Sequence, residues 1–135
     1  MRTYRMKRLI LFCCLCWAAI AHAGQPVLQF NMTSQTGAPV TYVFALPDDY
    51  TVAQPPIEDL HGKLQHEAGV NALNWAKQFY SARDIFLTGV DLKESPAPYF
   101  IAKFNGEVNG GRQDFFAVVL VNGTVVEPSQ LVAAQ

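Results

Sequence analysis

Residues 98–128 read PYFIAKFNGEVNGGRQDFFAVVLVNGTVVEP, and this stretch decides the fold. Three runs rich in aromatic and β-branched residues are separated by two Asn-Gly pairs, Asn109-Gly110 and Asn122-Gly123. Because Asn-Gly tolerates the positive φ angles of a type I′ turn, each pair predicts a two-residue hairpin loop. The stretch therefore predicts a meander of three antiparallel strands.

A two-residue loop at Asn109-Gly110 also predicts the strand register, in which Glu107 lies opposite Arg112. Moving the loop by one residue would place Glu107 opposite Asp114, and like charges directly opposite each other destabilise a sheet. The remaining predicted pairs are Phe104 with Phe115, Ala102 with Ala117, Phe100 with Val119 and, across the second loop, Val121 with Thr124, Leu120 with Val125 and Val119 with Val126.

The pleat of the strands divides the side chains of the meander between two faces, and both faces are apolar. A single helix covers one of them. The other is predicted either to be covered by the first hairpin of the chain or to stay open as a binding surface or dimer seam, with Lys103 and Glu127 as its polar rim. The candidate binding residues on this second face are Tyr99, Ile101, Phe116, Val118 and Leu120. The predicted helix-facing residues are Phe100, Ala102, Phe104, Phe115, Ala117, Val119 and Val126.

The first 23 residues combine a basic start, an apolar run of about a dozen residues and the triplet Ala21-His22-Ala23. This pattern predicts a secretory signal peptide that is cleaved after Ala23, leaving residues 24–135 as a single domain that is periplasmic or secreted. All three cysteines, Cys13, Cys14 and Cys16, lie in the signal segment. The mature chain is therefore predicted to contain no disulfide.

Cleavage also removes four basic residues, so that the ten Lys and Arg fall to six, against eleven Asp and Glu. The mature chain is mildly acidic and lacks the basic patch that nucleic acids and anionic membrane surfaces attract. Neither class of partner is expected once the signal is removed.

The rest of the chain predicts strands over residues 27–33 and 40–46, a helix over residues 57–81 and a strand over residues 84–92. The helix is expected to bend near Gly69, and Phe86, Val90 and Leu92 are expected to share one face of the strand. The order β-β-α-β-β-β predicts an α+β domain: an antiparallel β-sheet with one main helix packed on a face. In outline this is similar to cystatin-like and NTF2-like domains, and Leu46-Pro47-Asp48 resembles a segment of PsbP-like ones. The resemblance covers topology only.

Two histidines remain after cleavage, His61 and His66, and five residues on a helix point them about 140° apart. They are not expected to share a metal ion, and no cofactor, metal or catalytic residue is assigned. The sequence favours an exported binding module, such as an inhibitor, an immunity-type protein or a carrier, that holds a protein partner or a second copy by a sheet face or helix–sheet cleft. The alternative is a small exported hydrolase that uses His61 or His66.

Overall fold

In the computed structural model, which describes residues 24–52 and 57–131, the chain forms two antiparallel three-stranded sheets and a broken helix. The predicted α+β class is confirmed, and the strands are divided between two sheets. The first sheet has the order β1-β2-β6 and the second the order β3-β4-β5. The strands are β1 (Gln25–Thr33), β2 (Pro39–Leu46), β3 (Arg83–Lys93), β4 (Tyr99–Val108), β5 (Gly111–Leu120) and β6 (Ser129–Leu131), and the helical pieces are α1 (Ile57–His61) and α2 (Lys63–Phe79).

The hairpin of β4 and β5 has the register that its turn predicts. Asn109 and Gly110 adopt φ angles of 54° and 78°, which are the two positive values that a type I′ turn requires. Glu107 lies opposite Arg112, and the predicted apolar pairs, including Phe100 with Val119, are all formed. Local turn chemistry therefore determines the centre of the second sheet.

The second Asn-Gly pair forms a longer loop than predicted, and this shifts the register by one residue. The Leu120 N–H donates to the Thr124 carbonyl, and the Gly123 N–H donates to the Leu120 carbonyl. With Gly123 at a φ of 92°, the loop has three residues and ends on a left-handed glycine, which is the next most common hairpin geometry. Val119 consequently lies opposite Val125 rather than Val126. Val125 joins the helix-side core, and Val126 packs on the second face, the reverse of the prediction.

The helix breaks at Gly62, not near Gly69 as expected. Gly62 has φ −118° and ψ −99°, outside the helical region, whereas α2 continues through Gly69 without interruption. Gly69 is buried, and a Cβ atom there would lie 3.0 Å from Leu87 and 3.1 Å from Val90 of β3. This glycine therefore permits close packing of helix on strand rather than bending the helix.

The side chains of β3 exchange faces of the sheet partway along the strand. Register shifts interrupt its pairing with β4 between Arg83 and Phe86 and between Leu87 and Gly89. Because each β-bulge inserts an extra residue, the residues beyond it exchange faces. Leu87 and Val90 both pack against the helix-side core, and Phe86 is 52 % exposed on the opposite side, so the prediction that Phe86 shares a face with Val90 and Leu92 is wrong.

The first hairpin, β1 with β2, crosses the outer edge of β5 obliquely. Near its turn, Met32 and Val40 belong to the helix-side core, whereas Phe44 and Leu46 at its other end belong to the core on the second face. Because the hairpin packs across this edge, neither β1 nor β2 pairs with β5, and the second sheet ends there. The chain after β5 then crosses to pair β6 with β2, which ties the two sheets together.

Candidate binding site

The predicted binding face is largely an interior surface. Val118 has no exposed area, Tyr99 and Leu120 are also buried, and Ile101 and Phe116 are half-buried. The cover is the first hairpin, through residues that include Phe44 and Leu46, so of the two alternatives for this face the covered one is realised. Any partner that binds here could reach only the half-buried Ile101 and Phe116, and such binding stays a prediction.

The two residues predicted as the polar rim of that face, Lys103 and Glu127, lie apart and make other contacts. The Lys103 ammonium lies 3.7 Å from the Asp114 carboxylate, at an exposed position where an ion pair contributes little. Glu127 lies elsewhere and accepts a hydrogen bond from the Trp75 indole at 3.2 Å. The register shift at the second loop explains this, because it turns the strand after Gly123 over by one residue.

The half-buried Tyr50 side chain packs against the core on the second face and joins two connecting segments there. The Tyr50 hydroxyl donates to the Pro98 carbonyl at 2.6 Å and accepts from the Val121 N–H at 3.1 Å. Burial raises the pKa of Tyr50, and the hydrogen bond from Val121 offsets part of that shift. Burial likewise raises the pKa of Tyr99.

A groove that the sequence did not predict lies between α2 and β3. Its volume is about 340 Å³, within the range of small ligand sites. The close approach of α2 to β3 at Gly69 forms the floor, and the Gln65 side-chain amide donates to the Val90 carbonyl at 2.6 Å across one end. The lining residues are Gly62, Gln65, His66, Gly69, Val70, Leu73, Leu87 and Val90.

The strand β3 that borders this groove is an edge strand of its sheet, and among residues 24–52 and 57–131 no strand pairs with its outer row of backbone groups. Apolar side chains stand exposed on both sides of it: Val70 is 46 % exposed at the groove, and Phe86 is 52 % exposed on the other face. The Arg112 guanidinium lies 5.2 Å from the centre of the Phe86 ring and partly shields it. The sequence did hold one signal of this site, since Val70 is an apolar residue outside the stripe that helical spacing predicts to be buried, which is Ile57, Leu60, Leu64, Ala68, Ala72, Trp75 and Phe79.

The two histidines are not brought together. His66 lines the groove, and His61 lies on α1 outside it, both exposed. Within residues 24–52 and 57–131, no three His, Cys, Asp or Glu residues form a group that could hold a metal ion. The Ser81 hydroxyl donates to the Gln78 carbonyl at 3.5 Å, and this hydrogen bond does not involve either histidine. The groove thus offers apolar contact and one imidazole.

No protein-family model, curated protein or solved structure matches this chain. Among the helices that the structure describes, none combines the length and the apolar character needed to cross a bilayer. The predicted signal peptide and the three cysteines lie outside the described residues.

Proposed function

We propose that this protein is an exported binding module whose site is the groove between α2 and β3. The observation that carries the proposal is the exposure of Val70 and Phe86 on the two sides of β3, an edge strand that, among the described strands, pairs only with β4 along its inner edge. Soluble domains normally blunt such edges, because a free edge beside apolar side chains pairs readily with another chain. The basic start, apolar run and Ala21-His22-Ala23 triplet support export.

The occupant that fits this surface is an extended segment of a protein partner with alternating apolar side chains. Added beside β3, it would place alternate side chains over Leu73 in the groove. The register shifts confine regular pairing to the part of β3 beyond Gly89. There the Val90 carbonyl already accepts a hydrogen bond from the Gln65 amide, as it would from an incoming strand.

The proposal is tested by selecting peptides from a random library on the immobilised protein and mapping them by amide chemical shifts. We expect the selected peptides to shift the amides of Val90 and Leu92 and to slow their hydrogen exchange. Val70→Asp should abolish binding without loss of stability, because it puts a carboxylate at an exposed groove position. Lys77→Gln, which changes the net charge equally two helical turns away, should bind normally.

Shifts confined to Ile101 and Phe116 would contradict the groove and support the sheet face instead. Peptides that bind Val70→Asp as well as the unaltered protein would also overturn the proposal.

A small exported hydrolase is the second candidate, because His66 lines the same groove. A hydrolytic activity on ester or peptide substrates that is lost in His66→Ala, and kept in His61→Ala, would favour it. Peptide binding that persists in His66→Ala, with no hydrolysis by the unaltered protein, would favour the binding module.

A further inference from the structure

A second cavity, separate from the α2–β3 groove, lies at the end of α2 and has a different chemistry. Its volume is about 290 Å³, and Trp75, Gln78, Phe79 and Glu127 line it. It therefore combines two aromatic rings, a primary amide and a carboxylate, in contrast to the apolar groove beside β3.

The aromatic pair is held in place by the rings packed around it. Trp75 and Phe79 lie one helical turn apart and stack with their ring centres 4.6 Å apart. The Tyr42 ring meets Phe79 edge-on at 5.3 Å, and the Tyr80 ring meets Trp75 edge-on at 5.5 Å. Because these contacts restrict both side chains, the aromatic surface is ordered before any ligand arrives.

The carboxylate of Glu127 faces this surface without a cationic partner in the described part of the chain. One oxygen accepts the Trp75 indole N–H at 3.2 Å, and the one ion pair within residues 24–52 and 57–131 joins Lys103 and Asp114. Lys77, the basic residue in the last turn of α2, is exposed and is not paired with Glu127. The second oxygen of Glu127 is therefore available to a ligand.

We infer that this cavity binds a guanidinium group, such as the side chain of an arginine presented by a partner. Aromatic faces attract cations, and a guanidinium is planar, so that it stacks on an indole while its N–H groups bond a carboxylate. The negative end of the α2 dipole and the acidic balance of the mature chain act in the same direction. The inference does not depend on the function proposed for the α2–β3 groove.

The experiment uses Trp75 as its own reporter. The chain has two tryptophans, Trp17 and Trp75, and Trp17 lies in the predicted signal peptide, so the exported form, residues 24–135, has one indole, and that indole is in the cavity. The probes are acetyl-arginine-amide and acetyl-citrulline-amide, which are nearly the same shape but differ in charge. We expect saturable fluorescence quenching at millimolar arginine probe, at least about fivefold weaker with citrulline, and a loss of affinity as salt is added.

Two variants separate the site from a general charge effect. Glu127→Gln keeps an oxygen that can accept the indole N–H and removes the charge, so it should abolish the preference for arginine. Glu94→Gln makes the same change of charge at an exposed loop position and should leave it intact. Val70→Asp, in the other groove, should also leave the arginine response unchanged.

Equal responses to arginine and citrulline would overturn the inference, as would an arginine response that survives in Glu127→Gln. Saturation by the neutral methyl glucoside instead of arginine would assign the aromatic pair to a sugar and would equally refute it.

Discussion

The Tyr80 hydroxyl donates a hydrogen bond to the Phe116 carbonyl at 2.6 Å, which joins the end of α2 to the outer edge of β5. The Tyr80 ring also stacks on Phe115 with ring centres 4.9 Å apart and meets Phe30 of the first hairpin edge-on. One buried side chain thus contacts the helix, both sheets and the edge between them. Tyr80 therefore holds the end of α2, the outer edge of β5 and the first hairpin against one another.

Replacing Tyr80 with phenylalanine should lower the free energy of unfolding by about 1–2 kcal/mol, because the Phe116 carbonyl then loses its buried donor. Denaturant unfolding followed by circular dichroism measures this. Tyr42→Phe is the control, since its half-buried hydroxyl makes no hydrogen bond in the described part of the chain and its loss should cost less. Equal effects of the two substitutions would show that the Tyr80 bond does not stabilise the fold.

The same residue predicts how stability depends on alkaline pH. Burial, and to a lesser extent the neighbouring Tyr42, raises the pKa of Tyr80 well above its ordinary value. The unfolded chain therefore releases this proton near pH 10 while the folded protein retains it, so the stabilisation is complete below about pH 10 and declines above it. Each tyrosine with such a raised pKa lowers the free energy of unfolding by up to about 1.4 kcal/mol for each pH unit above that point.

The free energy of unfolding, measured between pH 9 and 11, should accordingly fall less steeply with pH for Tyr80→Phe than for the unaltered protein. A decline of the same steepness in both would mean that Tyr80 ionises in the folded state at its ordinary pKa.

Phe100 is expected to be among the largest single contributors to the core. It has no exposed area and lies opposite Val119 on the helix-side face, so Phe100→Ala should cost about 3–5 kcal/mol. Phe86→Ala is the matched control, because the same side chain is half exposed there and its loss should cost less than about 1 kcal/mol. Thermal or denaturant melts of the two variants decide the point, and similar costs would show that the faces of the second sheet are assigned wrongly.

The two Asn-Gly turns should respond differently to the loss of their glycines. Gly110→Ala should cost about 1–2 kcal/mol from the positive φ alone, since open space surrounds a Cβ atom there. Gly123→Ala should cost more, because the new Cβ would lie 3.0 Å from the Asn71 amide nitrogen, which donates to the Gly123 carbonyl. Gly111→Ala, with neither a positive φ nor a close neighbour, should be nearly neutral. Equal costs at Gly110 and Gly123 would contradict the close approach of the Asn71 amide to Gly123.

The exported form should begin at Gly24. Intact mass of the protein recovered from the exported fraction is expected to match residues 24–135, because Ala21-His22-Ala23 follows the apolar run directly. A mass that retains Met1, or that carries an acyl chain on Cys13, Cys14 or Cys16, would refute cleavage at Ala23.

The sequence by itself determined those parts of the fold that depend on neighbouring residues. Two positive φ angles at Asn109-Gly110 set the β4–β5 register, and alternation of apolar residues identified the strands of the first hairpin and of the meander. These features are local, because a turn type and a two-residue period need no information from distant parts of the chain. The α+β class follows from their order.

The tertiary structure alone decided where the chain bends, which faces are covered and where a ligand can reach. Helix propensity does not distinguish Gly62 from Gly69, yet the helix breaks at Gly62 and continues through Gly69, which packs against β3. The bulges of β3 and the three-residue loop at Gly123 each move later side chains to the opposite face, which alternation cannot reveal. Both cavities depend on how whole elements pack, because α2 lies against β3 on one side and against the segment at Glu127 on the other.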